Sequence, residues 1–134
     1  MPRARRKRRR SVLDVEAPDA GLEAAALAAL AAAGVSDGHV AVALISPSQI
    51  RRLNRNHRGK DTATDVLSFP VDGPGPVAGP RELGDVVICP EETADLIEAT
   101  VHGVLHLCGY DHEIDGGQML ALQDQIVAAL RDDA

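Results

Sequence analysis

The hydrophobic pattern changes its period several times along the chain, and each change marks a predicted element. Short runs of alternating or β-branched apolar residues are typical of strands and occur at 11–17, 39–45, 65–69 and 83–89. Longer stretches with apolar residues every three or four positions are typical of helices and occur at 18–34, 47–59, 90–107 and 117–131. The order is therefore β-α-β-α-β-β-α-α. It predicts an α+β fold class, with a small mixed four-stranded sheet and helices packed on it.

Glycine, proline and small polar residues mark the ends of these elements. Ser46 can cap the second helix by accepting a hydrogen bond from a free backbone N–H, and Pro47 suits the first helical turn. The segment 72–80 is dominated by glycine and proline and is predicted to be a loop. One continuous helix is expected to begin at Pro90 and to run to Leu107.

Composition limits the class of protein. The 134 residues, of which 45% are hydrophobic, can supply the core of one domain. Only Phe69 and Tyr110 are aromatic, so the stacking platforms that many single-strand-binding proteins use are nearly absent. No apolar run approaches the length of a membrane span, and Cys89 and Cys108 are too few for a disulfide framework. These features predict a cytoplasmic protein.

Charge is distributed very unevenly along the chain. The net charge is −6, yet residues 1–10 carry seven of the fourteen basic residues and no acidic one. Residues 11–134 therefore hold seven basic and twenty acidic residues, a balance of −13. We predict a disordered basic arm at 1–10, because like charges repel, followed by a single domain at 11–134. Such an arm suits RNA phosphates, although a solubilising tail, a targeting segment or an extension upstream of the true start would look the same.

A histidine motif between residues 102 and 112 carries the candidate chemistry. On a helix four residues advance about 400°, so His102 and His106 face one side, about 6 Å apart along the axis. His112 could join them only if the helix ends before it, and Gly109 is suited to a left-handed residue at that end. Three neutral histidines with an open fourth position are typical of a catalytic zinc site. The alternative is that the three histidines are unrelated surface or core residues.

The same spacing occurs in metzincin proteases, which place a glutamate general base directly after the first histidine. This chain has Gly103 there, which weakens the protease interpretation. RNA demands less of such a base, because it carries its own 2′-OH nucleophile or can be attacked by a zinc-bound hydroxide. The sequence therefore favours a zinc-dependent hydrolase with RNA as its substrate, and 11–134 as a single metallo-hydrolase domain. A zinc hydrolase acting on another substrate is the alternative.

Three stretches, 53–70, 83–88 and 102–112, resemble the YbeY family of bacterial rRNA maturation factors. The resemblance implies a zincin-like fold and a single-strand-specific endoribonuclease that acts in 16S rRNA 3′-end maturation and ribosome quality control. It implies a cytoplasmic location and RNA partners, namely rRNA, the ribosome or its small subunit, with no membrane. It also implies one zinc ion per chain on His102, His106 and His112, and a catalytic role for Arg58. A guanidinium suits that role because it can hold a phosphate bidentately. With the resemblance, a non-catalytic ribosome assembly factor stabilised by zinc becomes a further alternative. The oligomeric state stays open.

The chain departs from the family pattern in a few places. His57 stands where an aromatic residue is usual, and Ala63 replaces a proline. We interpret His57 as an exposed loop histidine. The stretch between Ile88 and His102 is shorter than usual, so the single helix expected from Pro90 would replace two.

Several further residues are candidates for supporting roles. Zinc-bound histidines usually donate their second N–H to a carboxylate or a carbonyl, and Asp65, Asp85 and Asp111 are candidates for that partner. His39 lies inside a predicted strand and is interpreted as structural. Cys108 is interpreted as a small buried hydrophobic residue rather than a ligand.

Overall fold

The structure is a computed structural model, and it describes residues 12–73 and 76–132. Four strands and four α-helices follow one another in the predicted order. The strands are β1 (Leu13–Glu16), β2 (Gly38–Leu44), β3 (Val66–Pro70) and β4 (Glu82–Ile88). The helices are α1 (Ala20–Ala32), α2 (Pro47–Arg58), α3 (Leu96–Leu107) and α4 (Gln118–Asp132). The predicted basic arm at 1–10 lies outside the described residues.

The four strands form one mixed sheet in the order β1-β2-β4-β3. β1, β2 and β4 run parallel to one another, whereas β3 is antiparallel to β4. The predicted fold class, a small mixed sheet with helices packed on it, is confirmed. None of the helices in the described part of the chain is long and apolar enough to cross a membrane.

The helices lie on both faces of this sheet. Val66 belongs to the large core cluster with α1, α3 and α4, whereas its neighbour Leu67 belongs to a small cluster with Ile50 of α2. Because successive side chains of a strand point to opposite faces, α2 covers the face opposite to α3. α3 is the central helix of the large cluster and packs against β3, β4, α1 and α4. The helix that carries two of the candidate histidines is therefore held on several sides.

The prediction of one helix from Pro90 to Leu107 was wrong. Pro90–Glu92 forms only a 3-10 turn, Thr93 is extended, and α3 begins at Leu96. The reason lies in two side chains that bond to nearby backbone. Thr93 Oγ1 accepts from the backbone N–H of Asp95 at 3.2 Å, and Asp95 Oδ1 caps the helix by accepting from the N–H of Glu98 at 3.1 Å. Such local bonds favour turns and caps over a continuous helix.

Candidate metal centre

His102 and His106 lie one turn apart on α3 and face the same side of the helix. Their ring centroids are 4.8 Å apart. Seven of the twelve residues of α3 are buried, and they surround the other sides of the helix. Burial of those sides leaves the two half-buried imidazoles at the edge of the core, where they face a cavity.

Gly109 turns the chain back and brings His112 to the other two histidines. Its φ of 101° lies in the left-handed region, which favours glycine. The N–H groups of Gly109 and Tyr110 close the helix end by donating to the carbonyls of His106 and Leu105 at 3.0 and 3.1 Å. The His112 ring centroid then lies 4.9 Å from that of His102 and 5.2 Å from that of His106. The helix break and the positive φ expected at Gly109 are both present.

The three rings together form a site that could hold a metal ion. Each offers one ligand nitrogen, and these nitrogens all lie within 4.8 Å of one another. Nδ1 of His112 is buried and has no hydrogen-bond partner among the described residues. A buried polar atom without a partner is costly, so this nitrogen fits a site that a ligand completes. The donor set, three imidazoles without a thiolate, is one that zinc uses in catalytic sites.

The protonation of His106 also suits a metal site. Burial lowers its pKa below the ordinary value, and the neighbouring His102 and His112 lower it further by charge repulsion. The neutral imidazole, which has a free lone pair, is therefore the favoured form at neutral pH. Burial raises the pKa of the Cys108 thiol to about 11. Cys108 packs against the large core cluster, as expected for a small hydrophobic residue.

The orienting partner of His102 is an amide that sequence reasoning missed. Nδ1 of His102 lies 2.8 Å from Oε1 of Gln123, which is buried on α4. The three predicted candidates make no hydrogen bond to the histidine rings in the structure as described. Asp65 and Asp111 instead accept from the backbone N–H groups of the nearby residues 66 and 113, at 2.8 and 3.0 Å, and Asp85 is exposed on β4. One signal was available, because Gln123 interrupts the apolar face of α4.

Arg58 lies at the same cavity as the three histidines. The cavity has a volume of about 450 Å³. Its lining comes from the end of α2, from β3, from α3 and from the turn that follows α3, and it includes Arg58, Ser68, His102, His106, Tyr110, Asp111, His112 and Glu113. Arg58 is the last residue of α2, which ends there because Gly59 adopts a left-handed φ of 72°. The fold thus brings together residues that are more than forty positions apart in the sequence.

Comparison with known proteins shows which family the chain belongs to. The family model described as Endoribonuclease YbeY matches residues 8–131 of the chain. The chain belongs to the YbeY family. A protein of this name from Anaeromyxobacter sp. (strain Fw109-5) is 46% identical over 104 residues, which cover 69% of this chain and 53% of that protein. Another from Rubrobacter xylanophilus is 44% identical over 97 residues, which cover 70% of this chain and 69% of that protein. The chain therefore spans about half the length of the first relative.

A solved structure shows the same fold. The solution structure of TM1509 from Thermotoga maritima superposes with a TM-score of 0.55 at 28% sequence identity. The match covers 91% of this chain and 91% of that chain. The fold of this YbeY-family chain is therefore shared across nearly all of its length.

The position after the first histidine shows why this YbeY-family site differs from a metzincin protease. A Cβ atom on Gly103 would lie 2.5 Å from Val86 Cγ1 and 3.1 Å from Val66 Cγ2. Ser68 also donates from its hydroxyl to the Gly103 carbonyl at 2.8 Å. α3 thus lies directly on the sheet at this residue, and a side chain here would have to displace Val86. The glutamate base of a metzincin could not be placed there without moving the helix or the sheet.

The two remaining histidines lie outside the cavity. His57 is exposed, as expected, but it belongs to the last turn of α2 rather than to a loop, and its ring packs edge-on against Phe69 at 4.7 Å. His39 lies on β2 between two carboxylates, with Nε2 2.5 Å from Glu16 and Nδ1 2.8 Å from Glu82. Hydrogen bonds to Glu16 first, and then to Glu82, raise the pKa of His39. His39 joins three strands, in agreement with the structural role predicted for it.

Proposed function

We propose that this protein is a zinc-dependent endoribonuclease that cleaves phosphodiester bonds of single-stranded RNA. One observation carries the proposal: His102, His106 and His112 share a single open cavity with Arg58. The three imidazoles are the proposed ligands of one zinc ion per chain, and Arg58 is the proposed catalytic residue. The relatives described above share the name Endoribonuclease YbeY, which supports the reaction class.

Each residue has a distinct part in this mechanism. A zinc ion held by His102, His106 and His112 would supply Lewis-acid chemistry and an activated water as the nucleophile at neutral pH. Arg58 would bind the scissile phosphate through its guanidinium and offset the negative charge that builds up in the transition state. Among the described residues Arg58 makes no ion pair, whereas Arg51 of the same helix is paired with Asp61 at 2.8 Å. Arg58 is therefore available to a substrate.

The charge distribution around α2 supports a polyanionic substrate. The chain from residue 11 onwards has seven basic residues, and five of them lie in one short segment, at Arg51, Arg52, Arg55, Arg58 and Lys60. Asp61 pairs with two of these arginines, at 2.8 and 3.5 Å. The remaining basic residues of the segment are exposed, and the segment ends at the cavity. Within the described part of the chain, this segment thus offers a phosphate backbone a favourable approach to the cavity over an otherwise acidic domain.

The finer biological assignment follows from the family resemblance. We propose that the protein acts in the cytoplasm on 16S rRNA during 3′-end maturation and ribosome quality control, with rRNA and the small ribosomal subunit as partners. Residues 11–134 would form the single metallo-hydrolase domain. A cleavage assay on small-subunit precursors checks this assignment, because cutting away from the 3′ end of the 16S sequence would contradict it.

The basic arm at 1–10 is proposed to increase affinity for RNA without taking part in the chemistry. Removing residues 1–10 should weaken RNA binding and flatten the dependence of log K on log salt, by up to about 5 in slope if all seven charges meet phosphates. Turnover at saturating RNA should stay nearly unchanged, because none of the proposed catalytic residues lies in the arm. Equal affinity and equal salt slope for the full and shortened chains would show that the arm does not contact RNA.

Metal analysis combined with an RNA cleavage assay tests the whole proposal. The unmodified protein should contain one zinc ion and cut single-stranded RNA, whereas His102→Ala should lose both properties. His57→Ala is the matched control, because that histidine lies outside the cavity and should keep both. Cleavage that survives in His102→Ala would reveal a contaminating nuclease. Zinc binding without any cleavage by the unmodified protein would favour the assembly-factor alternative.

A further inference from the structure

Gln123 is a buried polar residue on a face of α4 that is otherwise apolar. Only 7% of its surface is exposed, and the other buried residues of the helix are Met119, Ile126 and Val127. Burying an amide among aliphatic side chains costs free energy unless the amide is hydrogen-bonded. Packing alone would be served better by leucine or methionine. The burial of this amide is therefore explained by the hydrogen bond that it makes.

That contact is with the first histidine of the proposed metal site. Oε1 of Gln123 lies 2.8 Å from Nδ1 of His102, which joins α4 to α3 across 21 residues of sequence. In the structure as described, no other side chain hydrogen-bonds to any ring of the three-histidine cluster. A carbonyl oxygen can only accept, so the ring must donate an N–H from Nδ1. The neutral ring then has its lone pair on Nε2.

We propose that Gln123 is a positioning residue for the metal site, which fixes the tautomer and the orientation of His102 so that Nε2 is free to bind a metal ion. This inference rests on the metal site proposed above. Metal-binding histidines are usually oriented by a second hydrogen bond of this kind. Here the partner is a neutral amide, which fixes the proton on Nδ1 without adding a negative charge to the site.

Zinc affinity of three variants of the full chain tests this role. Gln123→Met keeps the length of the side chain but removes the acceptor, and it should weaken zinc binding by about 10- to 100-fold. Gln123→Glu keeps an acceptor at the same place and should retain most of the affinity. Gln125→Met makes the same change at an exposed position of α4 and should leave the affinity unchanged. Competition with a chromophoric chelator measures all three.

A second measurement reports the tautomer directly and does not require bound metal. Long-range ¹H–¹⁵N correlation spectra of metal-free protein, taken at mildly alkaline pH where histidines are neutral, show which ring nitrogen carries the proton. His102 should be protonated on Nδ1 in the unmodified protein and in Gln123→Glu. It should become a mixture of tautomers in Gln123→Met.

The outcomes separate this role from simple packing and from the proposed function. Unchanged zinc affinity and an unchanged tautomer in Gln123→Met would overturn the positioning role. Equally weakened zinc affinity in Gln123→Met and Gln123→Glu would also overturn it, because both changes would then act through packing alone. Absence of zinc binding by the unmodified protein would overturn the metal site itself and the role with it. Zinc binding without RNA cleavage would contradict the proposed function alone and leave the role standing.

Discussion

Replacing Gly103 by alanine should destabilise the protein, although the same change inside a helix normally stabilises it. Alanine is favoured over glycine in a helix interior by about 1 kcal/mol. Here the added Cβ would lie 2.5 Å from Cγ1 of Val86, a fully buried residue of β4, and 3.1 Å from Cγ2 of Val66. Ordinary contact would require separations of 3.4–4 Å, so α3 or the sheet must move by about 1 Å.

The expected magnitude follows from these two opposing effects. Overpacking of a well-packed core costs about 1–3 kcal/mol, and the short contacts with two strands place Gly103→Ala at the upper end of that range. After subtraction of the helix preference, the free energy of unfolding should fall by about 2 kcal/mol. An unfolding entropy of about 2.1 cal/mol/K per residue converts this loss into a fall in Tm of about 7 °C.

Thermal unfolding followed by circular dichroism measures this change, and Gly21→Ala is the matched control. Gly21 also lies in a helix, but a Cβ there would meet only ordinary contacts at 3.4 and 3.9 Å. The control should therefore raise Tm by a few degrees, on the order of the helix preference alone. A Gly103→Ala protein as stable as the unmodified one would refute the argument that α3 rests directly on the sheet. If the argument holds, RNA cleavage should also fall, since displacing a site by about 1 Å can cost about 100-fold.

Three further changes test the site and the sheet. Gly109→Val should weaken zinc binding, because a β-branched residue resists the φ of 101° that returns His112 to the site; normal affinity by chelator competition would contradict that turn. Arg58→Ala should leave zinc content and Tm intact but lower RNA cleavage by about 100- to 1000-fold, and Arg58→Lys should recover little of the lost activity. Unchanged turnover in Arg58→Ala would show that Arg58 is only a solvated surface residue. The raised pKa of His39 predicts a contribution to stability that is complete below the unfolded pKa of about 6.5 and is lost as pH rises through the folded pKa. The Tm difference between unmodified and His39→Gln protein, both metal-free, should accordingly shrink at alkaline pH, and a constant difference would contradict the ion pairs with the two glutamates.

Local sequence patterns are enough to predict the order of the elements and the geometry of the histidine cluster. Hydrophobic period is a local property, so the order of strands and helices could be predicted without any long-range contact. The spacing of His102 and His106 and the glycine at 109 are also local. Helix geometry and the need for a positive φ then predict that the three histidines meet. In the structure their ligand nitrogens lie within 4.8 Å of one another.

How distant segments meet depends on packing between elements, which local patterns do not specify. The strand order β1-β2-β4-β3 depends on pairing between strands far apart in the chain, which no local pattern specifies. The start of α3 at Leu96 was missed because Thr93 and Asp95 bond to the backbone in a way that competes with helix, and proline alone does not reveal that competition.

The same limit applies to the residues that complete the site. The position of Arg58 at the cavity was expected from family resemblance alone, because nothing near it in the sequence points to the histidines. Gln123 went unnoticed because its partner, His102, lies on another helix. Gly103 could be recognised as the absence of a glutamate, but only the packing of α3 on β3 and β4 shows that a side chain there would collide with Val86 and Val66. Spacing predicts which ligands converge, whereas the groups that orient them and the space around them depend on which elements pack together.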